Sequence, residues 1–75
     1  MDKETFDSVE IGEKVDSWDG FGGRRRSTVM AKVEDRWGRH LKAKFDNPED
    51  GEWTTVHGFT KVGIGHYRVK DKETI

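Results

Sequence analysis

Three histidines are the first residues to test for chemistry: His40, His57 and His66. A general base needs a nucleophile or proton donor within hydrogen-bond reach. None of the three sits in a motif that supplies one, and none shows the short spacing of a histidine metal site. Strand alternation sets Lys42 between His40 and His57, and His66 precedes Tyr67 on another strand. With no cysteine in the chain, thiolate ligands are absent too. The expectation is a protein that is not an enzyme, with no metal site and no cofactor.

Cations and rings form the richer pattern. Arg24, Arg25 and Arg26 run together, and Lys32, Arg36, Arg39, Lys42 and Lys44 follow within eighteen residues. Trp37 stands among them, and Trp18, Phe21 and Trp53 lie on either side. Lysine and arginine neutralise phosphates, and a ring stacks on an unpaired base for roughly 1–3 kcal/mol. Trp and Arg are also the favoured anchors of protein interfaces. Both readings use the same twelve residues: Trp18, Phe21, Arg24, Arg25, Arg26, Lys32, Arg36, Trp37, Arg39, Lys42, Lys44 and Trp53.

Charge is segregated along the chain. Residues 1–23 hold seven acids against two lysines, residues 24–44 eight bases against two acids, and residues 45–75 six acids against four bases. The overall charge of −1 therefore hides a basic middle between acidic flanks. Such local fields bear on partners more than on fold. They suit self-association as well as an anionic partner. No apolar stretch approaches the roughly 20 residues of a membrane span. A cytoplasmic protein that does not contact membrane is expected, with a protein partner or a second copy, or with DNA or RNA.

The elements that position these residues are strands. Seventy-five residues allow one small domain with a small core. Thr28 to Phe45 reads as two alternating runs about a turn. A three-residue loop, Arg36-Trp37-Gly38, would place Val33 opposite Leu41, Ala31 opposite Ala43 and Val29 opposite Phe45, with every apolar residue on one face. Lys32 then lies opposite Lys42, outward. Asp46 to Gly51 has turn composition. The following strand pairs Phe45 with Thr54 and Ala43 with Val56, and Trp53 points outward. Residues 58–63 suggest a turn of 3₁₀ type with Phe59 and Val62 inward. Residues 1–11 read as a flexible acidic segment, or a short one laid against the rest. Residues 71–75 read as a polar tail.

Five strands result, at 13–18, 28–35, 39–46, 52–57 and 66–70. The class is all-β, a five-stranded barrel with a 3₁₀ turn before the last strand. In loop order and glycine placement, residues 12–70 resemble the SH3-like small barrels, which include SH3, Tudor, chromo-type and KOW domains. Gly12, Val15, Gly20 and Val29 fall roughly where a KOW segment has its glycines and apolar strand residues, although Arg26-Ser27 replaces the glycine before the second strand. Trp18, Trp53 and Tyr67 are the rings available for a Tudor-like cage. The resemblance implies a protein-interaction module binding peptide beside the first long loop, through Trp18, Phe21 and Trp53. A regulatory or phage-type accessory protein fits this class. The alternative it implies is a KOW- or Tudor-like nucleic-acid-binding domain using the basic 24–44 hairpin.

Overall fold

The computed structural model describes residues 1–69. Five antiparallel strands form one curled sheet, a half-barrel: β1 (Lys14–Trp18), β2 (Arg25–Asp35), β3 (Gly38–Phe45), β4 (Trp53–Val56) and β5 (Gly65–Arg68). Their order is β4-β3-β2-β1-β5, so the first strand lies inside the sheet and the last two form its edges. The all-β, five-stranded expectation holds. A 3₁₀ turn precedes the last strand, but at Pro48–Asp50, in the β3–β4 connection. There Asn47 accepts the Glu49 amide at 3.0 Å and proline opens the turn. Residues 58–63 form bends and coil instead, and Val62 is exposed rather than inward. The tail at 71–75 lies outside the described residues.

Alternation decides the core. Val15, Val29, Leu41, Ala43 and Val56 share the inner face and are fully buried. Ser27 is buried with them, its hydroxyl donating to the Val15 carbonyl at 3.3 Å. The curled sheet leaves this face open on one side, and the N-terminal segment closes it. Lys3–Ser8 forms a short helix, α1, capped by the Asp2 carboxylate, which accepts the Thr5 amide at 2.9 Å. Phe6 and the following Val9 are buried in the core cluster.

The central hairpin departs from the expected register. Its loop has two residues, Arg36-Trp37, with Asp35 paired to Gly38. The Asp35 carboxylate accepts the Trp37 amide at 2.9 Å, and Gly38 takes φ +130°, a conformation other residues rarely adopt. Val33 therefore faces His40 and Ala31 faces Lys42. Between Val29 and Ala31 the ladder shifts by one, leaving Met30 as a β-bulge, and Val29 then pairs with Ala43. The expected pairing assumed unbroken alternation from Val29 to Val33. The bulge instead turns Ala31 and Val33 outward, half-buried, and turns Lys32 inward opposite Leu41. The Lys32 ammonium is not stranded there. It donates to the Val9 carbonyl at 2.9 Å and lies 4.9 Å from the centre of the Phe6 ring.

The β3–β4 register also differs, by two residues. Leu41 faces Val56, Ala43 faces Thr54, and Lys44 faces Trp53. A two-residue shift preserves side-chain faces, so Trp53 is outward as expected.

Candidate binding surfaces

The twelve candidate residues separate into four places. The first is the loop joining β1 and β2, with the β4–β5 connection against it. Trp18 ends β1, and its indole Nε1 donates to the Gly22 carbonyl at 2.9 Å, tightening the loop. Asp19 accepts the Phe21 amide at 2.9 Å and receives Arg25 at 3.0 Å. Those two contacts, the backbone hydrogen bond first, hold the Asp19 carboxyl below its usual range. Arg25 also approaches Asp50 at 3.8 Å. The loop projects Phe21, 94% exposed.

Ile64 lies directly against this loop. A Cβ added to Gly20 would sit 3.2 Å from Ile64 Cδ1, and Gly20 takes φ +93°. Arg24 crosses over the Tyr67 ring at 4.4 Å, and the Tyr67 hydroxyl donates to the Gly63 carbonyl. Two loops distant in sequence thus form one end of the molecule, with Phe21, Ile64 and Val62 all strongly exposed there or close by. Ile64 is absent from the sequence-derived set. Its signal was the flanking pair Gly63 and Gly65, which stops an apolar residue from joining a strand interior.

The second place is the hairpin tip. Trp37 is 81% exposed, and the Arg36 guanidinium covers its ring at 4.6 Å. Arg39 pairs with Glu34 at 3.0 Å. The third is the sheet face away from the core. Arg26 there grips Asp16 with two bonds of 2.8 and 3.1 Å. Lys42, Lys44 and Trp53 share the same face, with a shallow cleft along Lys42, Trp53, Thr54 and Thr55. Lys14 lies across Thr28 from Lys44, bound to Asp46 at 2.8 Å. Hydrogen bonds from Lys14 and then Thr28 lower the Asp46 carboxyl. The fourth place is interior: Lys32 sits beneath α1, on the opposite face from Lys42. A shared anion site for those two lysines is therefore not formed.

Three rings do not meet as a cage. Trp53 is on β4, and β3 and β2 stand between it and the β1 strand that carries Trp18. The histidines are closer than alternation implied. His40 and His57 rings lie 5.6 Å apart, tilted by 46°. No group of three metal-ligating side chains occurs among the described residues. Nor is any of their helices long and apolar enough to cross a membrane.

His66 is half-buried on β5. Burial first, and the neighbouring His57 second, lower its pKa below 6.5. Folding is then linked to protons with a fixed sign. Between the lowered folded value and the unfolded one, the unfolded chain binds more protons, so stability rises with pH. The contribution of His66 is complete above about pH 6.5 and fades as pH falls through the folded value. Urea midpoints measured from pH 7.5 to 5 should fall, and His66→Gln should flatten that decline. An unchanged slope in the variant would assign the effect to other groups.

No protein-family model, no curated protein and no solved structure matches this chain.

Proposed function

We propose that this chain is a non-enzymatic protein-interaction module of SH3-like type, binding a peptide segment at the end formed by residues 19–23 and 58–65. The observation that carries this reading is the exposure of Phe21 and Ile64 on two loops pressed together beside Trp18 and the Arg24–Tyr67 pair. Apolar side chains held out by a tightened loop gain by burial in a partner, at about 25 cal/mol per Å² of apolar surface. Trp, Tyr and Arg around them are the residue types that dominate interface energetics. The cations here also argue against a phosphate backbone as the ligand, because Arg25 already serves Asp19 and Asp50 and Arg24 lies on a ring.

The test is selection of a displayed peptide library on the intact protein. Enriched peptides should shift amide resonances of residues 18–25 and 60–67 and lose affinity for a Phe21→Ser/Ile64→Ser variant. Trp37→Ala, at the hairpin tip, should bind as wild type. A concentration-dependent dimer abolished by the same double variant would also be protein binding at this end, with a second copy as partner. Enrichment that is indifferent to Phe21 and Ile64 sinks the proposal.

A further inference from the structure

We infer that the outer face of β3 and β4 is a second site, which takes single-stranded nucleic acid on Trp53, Lys44 and Lys42. This face is separate from the loop end and does not depend on peptide binding there.

Register supplies the argument. Trp53 lies directly across from Lys44, and Thr55 across from Lys42. Trp53 is 55% exposed although it sits within a strand, so its indole forms part of the sheet surface. Lys42 and Lys44 are two residues apart on one strand and project from the same face. Their spacing, about 6.8 Å along the strand, is of the order of that between successive phosphates. Among the described residues, neither lysine makes an ion pair. The neighbouring outward positions are Thr28, Ala31, Val33, His40, Thr55 and His57, none of them acidic. Asp46, two residues beyond Lys44, is occupied by Lys14 and Thr28.

Among the described residues the other strand cations have partners: Arg26 pairs with Asp16, Arg39 with Glu34, Arg68 with Glu13, Lys14 with Asp46 and Arg25 with Asp19, while Lys32 on the inner face donates to the Val9 carbonyl. Two lysines without an ion pair, side by side on β3 next to an exposed ring on β4, match the chemistry of an unpaired base with its phosphates. The ring takes the base face, and the ammonium groups displace counterions. A duplex keeps its bases stacked inside and offers the indole nothing.

Fluorescence anisotropy with a labelled ten-nucleotide oligo(dT), at 20 to 200 mM salt, tests this. Wild-type protein should bind with a log–log salt slope of about −1.4, from two phosphates neutralised at about 0.7 each. Trp53→Ala should weaken binding on the order of tenfold, and Trp53→Phe should restore most of it. Lys42→Ala or Lys44→Ala should each reduce the slope by about 0.7. Because all three side chains are exposed, amide spectra of the variants should show the fold intact. Binding of a duplex as tight as that of the single strand would overturn the inference. So would competition by an acidic peptide at equal affinity, which would mark the face as a protein contact. Absence of binding at 20 mM salt would also overturn it, and would leave the loop-end proposal unaffected.

Discussion

Arg68→Ala is expected to cost about 3 kcal/mol of folding stability, the lower end of the range for breaking a buried ion pair. Arg68 is where three parts of the chain are tied together. Its guanidinium holds Glu13 at 2.8 and 3.1 Å, donates to the Ser8 hydroxyl at 2.9 Å and to the Ser8 carbonyl at 3.3 Å, and covers Phe59 at 5.4 Å. One side chain of β5 thus fastens the end of α1 and the entry to β1. The Glu13 side chain is only 5% exposed, so removing its partner leaves a carboxylate with little water to replace the lost bonds. Arg68 itself keeps some solvent contact, which argues for the lower figure. Against the few kcal/mol available to a domain this small, the loss is most of the total. The melting temperature should drop on the order of 10–20 °C. Arg68→Lys should recover only part, because an ammonium cannot make the paired bonds. A double-mutant cycle with Glu13→Ala should give a coupling above about 1 kcal/mol. Coupling near zero would show that Arg68 acts through Ser8 and Phe59 alone.

Phe6→Ala should cost a comparable amount, about 3 kcal/mol, from lost burial and the cavity left behind. Phe6 is the ring that α1 lowers onto the open inner face, and Val9 follows it in. Its loss would also remove the surface under the Lys32 ammonium. Two measurements separate local from global consequences. Urea unfolding gives the total loss. Amide exchange then shows whether protection falls along β2 and β3 or only in residues 3–9. If the strands keep their full protection while the helix exchanges freely, α1 is an accessory and the core does not need it.

How far these features could be read from residues alone varied with their origin. The five strands were legible, because alternation in Val15, Leu41, Ala43 and Val56 follows directly from burying one sheet face. The outward placement of Trp53 was legible for the same reason, since a two-residue shift of register does not change faces. Met30 was not legible as a bulge. An extra residue has no side-chain signature, and Val29, Ala31 and Val33 imitate a regular strand. The same irregularity turns Lys32 inward. The helix was equally obscure, with two apolar residues among acids, although Asp2 three residues ahead of Thr5 carried its cap. For the binding surfaces, sequence marked residue types well and grouping poorly. Gly20 and Ile64 are 44 positions apart, and the loops that carry Phe21 and Ile64 come together only because β5 returns beside β1.

The bulge makes chain length negotiable at one point. On either side of Met30 the pairings of Val29 with Ala43 and of Ala31 with Lys42 are already consecutive. Omitting Met30 would join them into an uninterrupted ladder with every neighbour on its present face. Omitting Ala31 would let Met30 take its outward place opposite Lys42, whereas omitting Lys32 or Val33 would invert the side chains between the gap and the bulge. Strand β2 thus contains two adjacent positions, Met30 and Ala31, where a residue can be lost without reversing inside and outside, followed by positions where it cannot.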